Sequence, residues 1–316
     1  MSDSESGRPG VRHLTVDANS EGQRLDNYLT RELKGVPRTR LYKALRKGEI
    51  RVNKGRAKAD YRLGEGDIVR IPPLRTAAPG EPASVPRFWT ERVLDSIIYE
   101  DDGMLVVNKP SGLAVHGGSG LNYGLIECLR QARSEDRYLE LVHRLDRDTS
   151  GLIMIARKAK VLRELHRQLR GDEVDKRYFA LVAGKWPRSL ARVEAPLLKN
   201  VLRSGERMVK VDREGKPSLT EFSVVERFPG ATLVQAKPVT GRTHQIRVHA
   251  RHAGFPLLGD DKYGDEAGAA LCAQLGLKRL FLHASELSCK VPDSGRMRWS
   301  APLDEDLENT LDKLRN

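Results

Sequence analysis

Cysteine is scarce in this 316-residue chain, which holds only Cys128, Cys272 and Cys289. They stand far apart and form no CxxC pair, so a disulfide framework or a cysteine-built zinc site has no support, and they read as buried or incidental thiols of a reducing compartment. Long apolar runs are also missing. LIMIA (152–156) and MLVV (104–107) are strand length, well short of the roughly 20 residues that a membrane-spanning helix needs. The opening MSDSESGRPG has no apolar stretch of the kind a secretory signal carries, so a cytoplasmic protein without membrane association is expected. No internal repeat is visible.

Several catalytic signatures are absent too. GGSG (117–120) is not followed by the Gly-Lys-Ser/Thr of a P-loop and reads as a flexible loop. No Rossmann fingerprint and no Gly-x-Ser-x-Gly nucleophile elbow appear. HARH places His249 and His252 on one helical face with His244 near, but no HExxH and no acidic or cysteine cluster accompanies them. Neither a cofactor nor a metal is expected.

Positive charge is what the chain has in excess: 55 Lys/Arg against 43 Asp/Glu, a net charge of +12 and a pI near 9.7. Two thirds of that excess lies between Gly22 and Ile71, where 14 basic residues meet 6 acidic ones. A polyanionic partner follows. Within this segment PRTRLYKALRKG (37–48) predicts a helix, with Pro37 and Thr39 as start signals and Gly48 as the stop. Arg40, Lys43, Arg46 and Lys47 fall on one side of it, and Leu41 and Leu45 on the other. EIRVNKGR (49–56) alternates like a half-buried strand that ends in an Asn-Lys-Gly turn, and RLGEGDIVRIP (62–72) reads as a turn into a last strand. Residues 72–86 then hold five prolines and no hydrophobic periodicity, a linker composition.

Beyond the linker, short strands alternate with helices. SIIYEDDGMLVVNKPSGLAVH predicts strand, turn, strand and loop. LIMIARKAKVLRELHRQLRG predicts a strand and then a helix with Leu162, Leu165 and Leu169 at helical spacing, and KRYFALVAG, EFSVVERF and ATLVQAKPV predict three more strands. This pattern points to a mixed α/β sheet domain. Three stretches are unusual. VHRLDRDTSGL (142–152) packs His143, Arg144, Asp146, Arg147 and Asp148 ahead of an apolar run. PVTGRTHQIRVHARHAGFPLLGD (238–260) offers arginines that would keep a carboxylate ionised in a desolvated cleft, with His and Gln as polar contacts. DKRYFALV (175–182) sets Tyr178 on a strand, either for stacking on a base or as an ordinary core tyrosine.

Residues 23–56, QRLDNYLTRELKGVPRTRLYKALRKGEIRVNKGR, resemble an S4 domain, a module that lays its basic helix and the following loop against structured RNA. The resemblance implies RNA contacts by Arg38, Arg40, Lys43, Arg46, Lys47, Arg51, Lys54 and Arg56. NKPSGLAVH (108–116), HRLDRDTSGL (143–152), KRYFALV (176–182) and TGRTHQIRVH (240–249) together are similar to the RluA-type pseudouridine synthases. That likeness implies an α+β protein, with a small S4 domain joined by a Pro-rich linker to a large mixed-sheet catalytic domain. The expected division is 20–83 for the S4 domain with the start of the linker, 84–94 for the linker, and 95–312 for the catalytic domain. It further implies isomerisation of uridine in 23S ribosomal RNA, with the target base flipped out of its stack and the enzyme a monomer. Asp146 is the implied catalytic carboxylate, with Arg247 as its ion-pair partner and Arg242 as the competitor. Tyr178 is implied to lie against the target base, and Arg144 to fill the space that the base vacates. Two other classes share part of the pattern: a synthase acting on transfer RNA, and a non-catalytic S4 protein of ribosome assembly.

Overall fold

The computed structural model describes residues 10–33, 35–74, 85–118, 123–201 and 207–316. Two compact units divide between Ser84 and Val85. The small unit runs β1 (Arg12–Thr15), α1 (Leu25–Glu32), α2 (Arg38–Arg46), β2 (Arg51–Val52), β3 (Gly55–Arg56) and β4 (Ile68–Ile71). Its strands form an antiparallel sheet in the order β1-β4-β2-β3. Helix α2 begins after Pro37 and buries Leu41, Ala44 and Leu45. Thr39, expected among the start signals, lies inside the first turn, and no side chain caps this end. Gly48 ends the helix at φ +68°, in the left-handed region that glycine enters without strain. Asn53 and Lys54 both take positive φ, as a two-residue hairpin between twisted strands requires. Asp26 joins the two helices: Arg24 grips it at 3.1 and 2.8 Å, and the Tyr42 hydroxyl donates to it at 2.7 Å.

The large unit runs α3 (Arg87–Asp95), β5 (Ile97–Glu100), β6 (Met104–Lys109), α4 (Leu125–Ala132), β7 (Glu140–Leu141), β8 (Ser150–Ala156), α5 (Ala159–Arg170) and β9 (Asp175–Ala183). It continues with β10 (Arg192–Glu194), β11 (Leu197–Val201), β12 (Arg207–Val211), β13 (Leu219–Phe228), β14 (Ala231–Pro238), α6 (Gln245–His252), α7 (Glu266–Leu275), β15 (Leu282–Val291), β16 (Gly295–Ser300) and α8 (Glu305–Arg315). The main sheet is ordered β10-β13-β14-β9-β15-β8-β6-β5, with β16 beside β15 and β7 beside β8. Pairing is antiparallel except between β8 and β15. Strands β11 and β12 form a separate hairpin.

The expected linker at 84–94 is corrected. Residues from Arg87 onward form α3, and Val85 and Val93 are buried in the core of the large unit. Nine residues are too short for a helix stable by itself, and packing of Trp89 and Val93 against the core of the large unit holds this one. Residues 75–84 of the proline-rich stretch, and Ser119 and Gly120 of GGSG, lie outside the described residues. The three cysteines are free and buried. No helix among the described residues is long and apolar enough to cross a membrane.

Candidate active site

The site forms where the parallel strand pair interrupts the antiparallel sheet. Tyr178 on β9 pairs with Ala284 on β15, and Ala284 pairs with Gly151 on β8, so three distant segments share one row across the sheet. Gly151 sits at φ +105°, and a Cβ there would run into the backbone of Ala284. Only glycine lets β8 enter the sheet at this point. The residues just before it, 143–149, therefore emerge beside Tyr178.

Backbone contacts pin this loop to the preceding motif. Lys109 is fully buried, and its ammonium donates to the carbonyls of Pro110 and Leu113 at 2.8 Å each and of Arg147 at 3.0 Å. The Gly112 N–H donates to the Arg147 carbonyl at 3.0 Å, and Ser111 Oγ donates to the Asp148 carbonyl at 2.8 Å. These contacts fix a loop that has little regular secondary structure to hold it. His143 is part of the scaffold, since Nε2 accepts from the Met154 N–H at 3.2 Å and burial holds the ring neutral, down to about 3.

Neither arginine that brackets Asp146 in sequence pairs with it. Arg147 binds Asp148 at 2.9 Å, and Arg144 is exposed at the cavity mouth. Arg247 on α6 does face Asp146, with Nη1 4.0 Å from Oδ2. Its main partner, however, is Asp260, which it grips through Nε at 2.7 Å and Nη2 at 2.6 Å. Asp261 lies 3.3 Å from the same Nη2, and the Tyr263 ring lies under the guanidinium, 5.1 Å from ring centre to Cζ. Burial opposes the Arg247 charge, but Asp260, aided by Asp146 and Asp261, more than offsets this and raises the guanidinium above its ordinary value. The expected pairing is thus refined: Arg247 is a buried cation neutralised by Asp260 that presents one remaining nitrogen to Asp146. Arg242 is exposed, donates to the Pro217 carbonyl at 3.3 Å, and forms no ion pair with Asp146 among the described residues.

Asp146, Tyr178, Arg144, Arg242 and Arg247 all line one cavity of about 130 Å³, floored by Leu145, Ile246 and Leu282. Burial, and then the Asp146 charge, pushes the Tyr178 phenol well above its ordinary value, so the hydroxyl stays neutral. Its strand neighbours are Ala236 and Ala284, and the residue is buried while still lining the cavity. Gln245 is not free for a ligand. Its carbonyl accepts from Thr240 Oγ1 and the Arg242 N–H at 2.7 and 3.0 Å, and its NH₂ donates to the Leu219 carbonyl at 2.9 Å. His249 is buried, with Nδ1 against Thr220 Oγ1 at 2.8 Å and Nε2 against the Ala195 carbonyl at 3.0 Å.

Sequence reasoning missed Lys109, Asp260 and Tyr263. Asp260 closed the quoted 238–260 stretch, and an acid so near an arginine-rich helix was the available signal. In the small unit Arg38, Lys43, Arg46, Lys47, Arg51, Lys54 and Arg56 are exposed and Arg40 is half-buried. Glu49 lies 3.4 Å from Arg40 and 4.0 Å from Lys47, so these two are partly neutralised.

Residues 103–252 match the family model described as RNA pseudouridylate synthase, and residues 23–69 match the S4 domain. Ribosomal large subunit pseudouridine synthase C of Escherichia coli (strain K12) is 55% identical over 312 residues, covering 98% of each chain. The protein of the same name from Yersinia pestis is 53% identical over 313 residues, again covering 98% of each. Among solved structures, Human RNA Pseudouridylate Synthase Domain Containing 4 superposes with a TM-score of 0.60 at 25% identity, covering 72% of this chain and 96% of that one. The chain belongs to the RNA pseudouridylate synthase family and carries an S4 domain at its N-terminal end.

Proposed function

We propose that this protein isomerises uridines of 23S ribosomal RNA, with Asp146 as the catalytic carboxylate. The observation that carries the reading is the cavity that gathers Asp146, Tyr178 and Arg247 from three separate segments. The relatives at 53–55% identity, named for the ribosomal large subunit, support the choice of RNA.

The chemistry balances without a redox partner. The N1–C1′ bond breaks, C5 bonds to C1′, C5 loses a proton and N1 gains one. A carboxylate near the sugar serves as nucleophile or base, and the detached uracil must be held while it turns. Arg247 keeps positive charge close to Asp146 without a tight hydrogen bond, which leaves the carboxylate lone pairs available. Tyr178 is our candidate for the ring that lies against the base, and the exposed Arg144 is our candidate for filling the gap left in the RNA. A base inside a stacked helix cannot reach such a cavity, so the uridine must flip out. The basic face of the small unit, from Arg38 to Arg56, supplies affinity for structured RNA. The protein acts as a monomer in the cytoplasm, since one chain carries both the binding and the chemical parts.

The test is Asp146→Asn, which keeps the shape and removes the charge. Turnover on a 23S fragment is expected to fall by more than about a thousandfold, while affinity for that fragment changes by less than about threefold. Near-native pseudouridine formation by this variant would reject the assignment.

A further inference from the structure

His244 occupies an unusual place. It is the residue before α6, and its backbone sits at φ +54°, a left-handed conformation uncommon outside glycine. That backbone aims the ring into the catalytic cavity, where Nε2 lies 3.9 Å from Asp146 Oδ1. On the far side of the ring, Nδ1 lies 2.7 Å from the Tyr263 hydroxyl.

We assign the proton arrangement from the partners. Tyr263 Oη accepts from the Val209 N–H at 3.0 Å, so its own hydrogen is free to go to His244 Nδ1. An Nδ1 that accepts places the single proton of a neutral imidazole on Nε2, facing Asp146. Burial favours the neutral ring, with Asp146 opposing and Arg247 and Lys262 reinforcing that preference. The charged and titratable groups around the ring are Asp146 from the loop before β8, Arg247 from α6, and Asp260, Lys262 and Tyr263 from the segment after α6. One oxygen of Asp146 thus faces the His244 N–H and the other faces Arg247, at 3.9 and 4.0 Å. Both donors attract the carboxylate, and neither ties up its lone pairs.

We propose that His244, with its tautomer set by Tyr263, is a positioning residue that holds the Asp146 carboxylate oriented toward the target nucleotide. The inference rests on the reading of Asp146 as the reactive carboxylate. Through Val209 it also links the carboxylate to the β11–β12 hairpin, because β12 supplies the N–H that commits the Tyr263 hydroxyl.

The experiment measures single-turnover rates between pH 5 and 9 at saturating enzyme, with the full chain and a 23S fragment. His244→Leu removes the donor, so a fall of about 10- to 100-fold is expected, with the acid limb of the profile moved to higher pH and RNA affinity within about threefold of native. In His244→Gln the carboxamide offers an acceptor to Tyr263 and a donor to Asp146, so rate and acid limb should stay within about threefold of native. Tyr263→Phe should cost about tenfold in the native background, where the tautomer is released, and nothing further in the His244→Leu background, where no polar side chain is left for Tyr263 to orient. Equal losses for His244→Leu and His244→Gln with an unmoved acid limb would overturn the proposal, as would a Tyr263→Phe penalty that is the same in both backgrounds. If His244→Leu fails to fold, His244→Ala takes its place in both measurements. An active Asp146→Asn would instead reject the underlying reading, so the two failures are distinguishable.

Discussion

Lys109 shows how a single buried charge can serve a site that it never touches. Its three N–H groups meet three carbonyls, two in its own loop and one in the loop that carries Asp146. Burial lowers this lysine to about 7 against the opposing pull of Asp148. Lys109→Met keeps most of the volume and takes the side-chain donor away from three carbonyls, of which, among the described residues, only that of Arg147 keeps another, the Gly112 N–H. We expect a loss of about 3 kcal/mol in the stability of the large unit, read as a lower urea midpoint at unchanged slope, with reduced turnover at temperatures where the protein is still folded. A midpoint within error of native would show that water replaces the ammonium. The sequence motifs single out Asp146 and Arg247, and the structure sets their side chains 4.0 Å apart. Lys109, Asp260 and Tyr263 were not legible in sequence, because their roles depend on who faces whom after burial. Arg247 illustrates the limit: its nearness to Asp146 was foreseen, and its bidentate grip on Asp260 was not.

At the scale of elements, the seam between β8 and β15 holds the site open, and a buried polar chain holds that seam. Arg279 Nη2 donates to Ser150 Oγ at 2.7 Å, Ser150 faces His283 Nδ1 at 2.9 Å, and His283 Nε2 faces the Ala301 carbonyl at 3.2 Å. Burial depresses His283 to about 4 from an ordinary 6.5. Between those values the unfolded chain binds a proton that the folded one does not, so stability falls as pH drops from 6.5 toward 4. This one residue contributes at most about 1.4 kcal/mol per pH unit. Denaturant titrations at pH 7, 6 and 5 should show the decline, and His283→Gln should make it shallower. An unchanged slope would mean that the other buried histidines, His143 among them, dominate. Strands β5, β6, β8, β9, β13 and β14 were legible from periodicity and turn residues. The row through Tyr178, Ala284 and Gly151 was not, because strand order is decided by pairing across more than 100 residues, which leaves no local mark.

For the whole molecule, the segregation of charge is the feature that sequence showed best. The small unit is basic on an exposed face, and the large unit holds the cavity. Glu49 moderates that face, so Arg38, Lys43 and Arg46 are the better candidates for phosphate contacts than Arg40 or Lys47. Changing these three to alanine in the full-length chain should reduce the log–log salt slope of binding to a 23S fragment by about 2. The single-turnover rate at saturating enzyme should stay within about threefold of native if the face supplies affinity alone. An unchanged slope would remove the electrostatic role, and a collapsed saturating rate would show that the small unit also aligns the uridine. The end of the linker differs from its composition because α3 is short and directly follows the prolines, and its hold comes from Trp89 and Val93 packing on the core of the large unit.

The double duty of Arg247 also constrains how the sequence can drift. Its guanidinium spends two nitrogens on Asp260, whose side chain is fully buried, and turns the third toward Asp146. A lysine has one nitrogen to divide among these partners, and loss of either member of a buried pair costs about 3–5 kcal/mol. Any lineage that exchanges one of the two residues must pass through a poorly folded intermediate unless both change together. The two positions, thirteen residues apart, are therefore expected to change together or not at all.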